Sequence, residues 1–90
     1  MNISGIVVRA RPDRLDQVRA RLEALEGVEV HAANEEGKLV VTVEAEGERQ
    51  LADRVVGIES VPGVLAASLV YHQHEDDEKL DEIVEQEAEQ

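Results

Sequence analysis

Residues 15–28, LDQVRARLEALEGV, decide the fold, because residues 51–64, LADRVVGIESVPGV, repeat their design 36 positions later. In both copies, apolar residues recur at the three- and four-residue spacing that lines one face of a helix. Each copy then reaches a glycine suited to ending a helix, followed directly by a valine that opens a β-branched stretch. A helix followed by a strand, twice in one short chain, is the pattern expected of two βαβ units that share one sheet.

Four stretches rich in β-branched residues predict the strands. They are residues 3–10 (ISGIVVRA), 28–32 (VEVHA), 38–45 (KLVVTVEA) and 64–72 (VLAASLVYH). Pro12 suits the first turn of the first helix, the second helix runs from about Gly47 to Ser60, and residues 34–37 (NEEG) have the composition of a hairpin turn. The predicted order β-α-β-β-α-β is that of a ferredoxin-like α+β sandwich, a two-layer fold with a four-stranded antiparallel sheet and both helices on one face.

Composition limits the chemistry and the location of such a domain. The chain has 90 residues and no cysteine, so it offers neither a disulfide framework nor a thiolate nucleophile. Residues 1–5 (MNISG) do not resemble a signal peptide, and no apolar run reaches the roughly 18 residues that a membrane span needs. We therefore expect a soluble, cytoplasmic protein that does not insert into membranes.

Acidic charge is concentrated at the C-terminal end. The net charge of −12 and the single aromatic residue, Tyr71, argue against binding of nucleic acid and favour a basic partner. Residues 73–90 hold nine acids and one lysine, a net charge of −8. We expect a domain at residues 1–74 and an acidic tail at residues 75–90 that is flexible or a frayed helix. An acidic arm that attracts a basic partner stays open as an alternative for this tail.

Alternation along the strands predicts which side chains face the helices. The inward set is Ile6, Val8, Ala10, Val28, Val30, Ala32, Leu39, Val41, Val43, Leu65, Ala67, Leu69 and Tyr71. The opposite surface, called the helix-free face below, carries Gly5, Val7, Arg9, Glu29, His31, Val40, Thr42, Glu44, Ala66, Ser68, Val70 and His72. Small, partly apolar side chains in such a surface are suited to accept an apolar segment of another chain. Strand propensity alone would also select valine and threonine there, and the pattern does not decide between the two explanations.

The sequence contains no signature of an enzyme. It has no glycine-rich phosphate loop, its serines have no evident histidine and aspartate partners, and its acids follow a surface pattern. His72 and His74 lie on one side of an extended strand, but His31 is the only further histidine. We predict no catalytic residue, no metal and no cofactor, and we retain a histidine-based metal carrier as an alternative.

Two stretches carry a resemblance to a known family. They are residues 3–10 (ISGIVVRA) with Pro12, Asp13 and Arg14, and residues 59–73 (ESVPGVLAASLVYHQ), in which SLVYHQ is the most specific run. Together with the acidic C-terminus they resemble the NapD family, cytoplasmic chaperones for maturation of the periplasmic nitrate reductase catalytic subunit. The resemblance covers about residues 3–75 and implies a ferredoxin-like fold. It also implies that the protein binds the enzyme's twin-arginine signal peptide and delays export of the precursor until its molybdenum cofactor is inserted.

The resemblance implies a binding partner for the helix-free face. All of its residues except His31 form the predicted signal-peptide site, in which Glu29 or Glu44 meets the arginines of the peptide, and we expect a monomer or weak dimer. An ACT-like small-molecule-sensing regulatory module is the alternative, because it shares the same element order. The loop at residues 11–14 (RPDR) lacks the glycine-rich ligand turn that such a module would need.

Overall fold

The structure is a computed structural model that describes residues 2–74, with side chains as far as residue 70. Strand β1 (Asn2–Ala10) leads through a 3-10 turn (Pro12–Arg14) into helix α1 (Leu15–Ala24). Strands β2 (Val28–Ala33) and β3 (Lys38–Ala45) follow, and then helix α2 (Glu48–Glu59) and strand β4 (Val64–His74). The predicted order is confirmed, and the boundaries of the strands and of α2 lie within two residues of the prediction. The expected tail, residues 75–90, lies outside the described residues.

The four strands form one antiparallel sheet in the order β2-β3-β1-β4. Strands β1 and β3 lie in the centre, and β2 and β4 form the edges. Val18 and Leu22 of α1 and Ile58 of α2 belong to the same buried cluster as the side chains on one face of the sheet. Both helices therefore pack on that face, and the ferredoxin-like α+β fold is confirmed.

The core is built almost entirely from branched aliphatic side chains. Its largest fully buried members are Ile6, Val8, Val18, Leu22, Leu39, Val41, Val43 and Ile58. Valine and isoleucine have few rotamers and pack well against a pleated sheet, so a small domain can reach a well-ordered interior with them. Because a chain of this size buries a limited share of its surface, each of these side chains is a sizeable part of its stability.

The two glycines of the repeated unit lie after the helices and directly before strands β2 and β4, as the sequence predicted. Gly27 and Gly63 have φ angles of 78° and 101°, a backbone conformation that residues with a Cβ rarely adopt. A Cβ at Gly63 would lie 2.8 Å from a methyl carbon of Val18, so the turn also packs tightly against α1. Gly57, in contrast, lies within α2, and a Cβ there would meet nothing within 4 Å.

Truncation of Ile58 tests the position of the core. Ile58 is 0% exposed, whereas Val56, two residues earlier in the same helix, is 59% exposed. We expect Ile58→Ala to lower the free energy of unfolding in urea by about 2–5 kcal/mol, because it leaves a cavity between α2 and the sheet. The control, Val56→Ala, should change it by about 0.5 kcal/mol or less. Similar losses for both variants would contradict the placement of α2.

A pair of glycine substitutions tests the backbone of the α2–β4 connection. Gly63→Ala should destabilise the protein by about 1–3 kcal/mol, because alanine at a positive φ is strained. Gly57→Ala should stabilise it by about 0.5–1 kcal/mol, because alanine is the better residue inside a helix. The measurement is urea unfolding followed by circular dichroism. Effects of the same sign would show that the turn is not built as described.

Candidate functional site

The helix-free face consists of residues that alternate with the core residues of the strands. Ile6 and Val8 of β1 belong to the core cluster, so Gly5 and Val7 project to the other side of the sheet. The cross-strand pairs on this side are Gly5 with Thr42, Val7 with Val40 and Ser68, and Arg9 with Ala66. The structure therefore brings these predicted site residues together on one surface.

A β-bulge at His31 changes the face that the end of β2 presents. The ladder passes from Val30 to Ala32, which leaves His31 as the extra residue. The prediction that Ala32 points inward is therefore wrong, because Ala32 lies opposite Val40 of the helix-free face. Ala33 packs against the core in its place.

His31 contacts the centre of the helix-free face. Its Nε2 lies 2.7 Å from the Thr42 hydroxyl oxygen and 3.8 Å from a carboxylate oxygen of Glu29. Thr42 is only 4% exposed, and a hydroxyl buried to that degree needs a hydrogen-bond partner. Sequence reasoning placed His31 on this face but omitted it from the site, since alternation carries no signal that a bulge brings the ring to Thr42.

The first of two register shifts on β4 displaces Leu65. Val64 pairs with Ala10 and Ala66 pairs with Arg9, so Leu65 is the extra residue between them. It is 68% exposed, and the prediction that it packs inward is wrong. The shift explains the error, because a residue inserted at a bulge leaves the alternation of the strand.

The second shift lies near the end of β4, where Val70 is the extra residue between Leu69 and Tyr71. Leu69 and Val70 are 58% and 44% exposed, so the prediction that Leu69 packs inward is also wrong. Strand β4 is an edge strand with a neighbour on one side only, so Leu69 and Val70 have fewer neighbouring side chains to shield them from water. Beyond the shift the backbone of His72 pairs with Ser4, and the side chains of Tyr71 and His72 lie outside the described part of the chain.

The centre of the helix-free face is buried, although both described helices pack on the opposite side of the sheet. Val7, Val40 and Thr42 are 7%, 3% and 4% exposed. We call these three residues and the buried Gly5 the floor. The surrounding residues, called the rim, are exposed: Arg9, Glu29, Glu44, Ala66 and Ser68. The predicted site thus has a rim that contacts water and a floor that does not.

Opposite charges lie at the two ends of this face. Arg9 pairs with Lys38 at the start of β3, whereas Glu44 lies near the end of β3, about 20 Å away at the rise of a strand. Glu29 pairs with Thr42, which makes Glu44 its diagonal neighbour, with about 7–8 Å between their Cα atoms. Two exposed carboxylates on adjacent strands are suited to receive two neighbouring guanidinium groups.

Other parts of the described structure offer fewer groups suited to binding or catalysis. A cavity of about 320 Å³ lies beside Glu26, Glu44 and Arg54, and the Arg54 Nη1 donates a hydrogen bond to the Glu26 carbonyl oxygen. This bond ties α2 to the connection between α1 and β2.

Within the part of the chain that the structure describes, no three histidine, aspartate or glutamate side chains are grouped to hold a metal ion. Neither described helix is long and apolar enough to cross a membrane.

Comparison with known proteins identifies the family to which this chain is similar. The NapD protein family matches residues 1–76. Chaperone NapD of Escherichia coli strain K12 is 39% identical over 75 residues, which are 82% of this chain and 86% of that protein. Chaperone NapD of Haemophilus influenzae is 28% identical over 79 residues, which are 87% of this chain and 85% of that protein.

Two solved structures are similar to this one. The solution structure of the Escherichia coli Tat proofreading chaperone NapD has a TM-score of 0.74 at 39% identity and covers 82% of this chain and 79% of that one. A crystal structure of a Thermus thermophilus protein, with a TM-score of 0.73 at 24% identity, covers 84% and 96% and supports the fold alone. Because the family match spans most of the sequence and the Escherichia coli relative is similar over nearly its full length, this chain belongs to the NapD family.

Proposed function

We propose that this chain is a cytoplasmic chaperone that binds the twin-arginine signal peptide of the periplasmic nitrate reductase precursor and has no enzymatic activity. By holding the signal peptide, it delays export until the molybdenum cofactor is inserted. Family membership and relatives named as chaperones, one of them as a Tat proofreading chaperone, support this role over an ACT-like sensing module. The observation that carries the proposal is the exposed pair Glu29 and Glu44 beside the apolar floor of the helix-free face.

The glutamates provide specificity for arginine. A guanidinium group donates two parallel hydrogen bonds to one carboxylate, and the diagonal placement of Glu29 and Glu44 offers one carboxylate to each of two successive arginines. Both side chains are on the rim and keep contact with water, so each ion pair contributes only about 0.2–1 kcal/mol. Such pairs accelerate association and orient the peptide more than they determine its affinity.

The apolar segment of the peptide supplies the larger share of the binding free energy. Thr42 lies next to the two glutamates, and Val40 and Val7 follow further along the same face. Ala66 and Ser68 extend this surface of small side chains to the edge of the sheet. An amphipathic helix laid on this surface buries apolar area at about 25 cal/mol per Å². With its arginines at the glutamate end, the peptide directs its C-terminal carbonyl groups toward Arg9, a favourable orientation for the helix dipole.

Neutralising the two glutamates tests the site. Glu29→Gln and Glu44→Gln should each weaken binding of a synthetic twin-arginine signal peptide about 1.5- to 5-fold in isothermal titration calorimetry, because each removes one exposed ion pair. Glu36→Gln, in the exposed hairpin turn, is the matched control and should leave the affinity unchanged. Raised salt should weaken binding to the parent protein more than to the double variant.

Two outcomes would contradict this proposal. One is the absence of measurable binding to the peptide by the parent chain. The other is binding that is insensitive to both substitutions, with amide shifts on α1 and α2 instead of on β1 and β3. A peptide whose arginines are replaced by lysines provides a second control, since lysine keeps the charge but lacks the planar fork of donors.

A further inference from the structure

His31 lies beside the acidic end of the helix-free face. Glu29 pairs with Thr42, and His31 follows Glu29 by two residues on the same strand, so its ring is a diagonal neighbour of Thr42. Its Nε2 is close to two side chains, 2.7 Å from the Thr42 hydroxyl oxygen and 3.8 Å from a carboxylate oxygen of Glu29. The first distance is that of a hydrogen bond, and the second is that of an ion pair only when the ring carries a charge. The charge of one imidazole ring therefore determines whether Glu29 has a partner in β2.

A neutral His31 ring leaves Glu29 free. The buried Thr42 hydroxyl needs a hydrogen-bond partner, and His31 provides it. Neutral imidazole has one acceptor and one donor nitrogen, so Nε2 either accepts the hydroxyl proton of Thr42 or donates to its oxygen. At 3.8 Å from Nε2, the Glu29 carboxylate is beyond hydrogen-bond range. This exposed carboxylate is then available to a guanidinium group of a peptide.

A protonated His31 ring changes the position of Glu29. Histidine is the side chain whose charge ordinarily changes between about pH 8 and pH 5. An imidazolium ring carries a positive charge, which attracts a carboxylate 3.8 Å from its Nε2. Its Nε2–H group donates to the Thr42 hydroxyl oxygen, and the charge draws Glu29 toward the ring. The charged ring therefore competes with an arginine of the peptide for Glu29, and it also repels the guanidinium group.

We propose that His31 makes recognition of the signal peptide depend on pH, because the protonated ring pairs with Glu29 and withdraws this carboxylate from the peptide. The pairing inside the free chain does not depend on the proposed function, and only its effect on the peptide rests on it. His31 acts through Glu29, so it is a positioning residue of the site.

Other charged side chains of the described strands lie further from His31. Glu44 follows Thr42 by two residues on β3, on the side of Thr42 that is away from His31. Lys38 precedes Thr42 by four residues, about 13 Å, and the arginine of β1 and the acids of the hairpin turn lie at the same end as Lys38. At the level of Thr42, β1 contributes an uncharged glycine, and both helices pack on the opposite face. Glu29 is therefore the charged group on which His31 acts.

The pairing is tested in the full chain without peptide. The carboxyl carbon signal of Glu29 is recorded by NMR between about pH 8 and pH 5.5, a range in which histidine gains a proton and glutamate ordinarily does not. We expect the Glu29 signal to move with the ring signals of His31 and to stay nearly constant in His31→Gln. Glutamine keeps a donor and an acceptor for Thr42 but cannot become charged. The Glu44 carboxyl signal, recorded in the same spectra, is the matched control and should move much less.

The effect on recognition is measured by isothermal titration calorimetry with the synthetic twin-arginine peptide. The parent chain should bind about 2- to 5-fold more weakly at pH 5.5 than at pH 8, because it loses one exposed ion pair. His31→Gln and Glu29→Gln should both lose this dependence, whereas Glu44→Gln, the matched control, should keep it. Any change with pH that all four chains share belongs to other titrating groups. Because Glu29 is exposed, its variant should fold and carries the test even if His31→Gln is unstable.

The outcomes separate the two proposals. A Glu29 signal that does not follow the ring of His31, or that moves equally in His31→Gln, overturns the pairing. Peptide binding with the same pH dependence in the parent chain and in Glu29→Gln overturns the regulation and leaves the proposed function intact. Pairing in the free chain together with no peptide binding at either pH supports the pairing and contradicts the proposed function instead.

Discussion

The structure depends on the central position of β1, which pairs with β3 along one edge and with β4 along the other. Ile6 and Val8 face the helices while Val7 faces the opposite surface, and all three are buried. A strand that is paired on both edges and buried on both faces has to be apolar in its centre, which explains the run of three branched residues. The core and the candidate binding surface are therefore two sides of one strand, and a substitution in β1 changes both stability and recognition.

Most of the fold could be predicted because it repeats. The helix spacing, the glycine and the following valine occur at residues 15–28 and again at residues 51–64, and both copies end at a glycine with positive φ. Each of these signals is local, and each agrees with the global arrangement of two βαβ units. The hairpin between β2 and β3 follows from its turn chemistry, since the Asn34 side-chain oxygen accepts hydrogen bonds from the backbone N–H groups of Glu36 and Lys38.

The errors lie where one residue is inserted in a strand. The alternation of apolar and polar residues predicts the wrong face for Ala32 because of the bulge at His31, and it misplaces Leu65 for the same reason on β4. A bulge changes neither composition nor hydrophobicity, so periodicity alone does not detect it. The burial of Val7 and Val40 was not predictable either, since the sequence pattern shows which face a residue occupies but not how deeply it is buried there.

A surface that binds an apolar peptide faces a conflict when the peptide is absent. Apolar side chains that open to water on a sheet invite association between copies, and a domain within a chain of 90 residues has little stability in reserve. The exposed carboxylates of Glu29 and Glu44 lie at one end of this surface, where they are accessible to a peptide. In the proposed function, the arginines of a signal peptide engage this acidic end of the face first, because attraction between exposed charges acts over a longer distance than apolar contact does. The apolar segment of the peptide then follows along the face from that end toward Arg9, so charge orients the peptide before apolar contacts hold it.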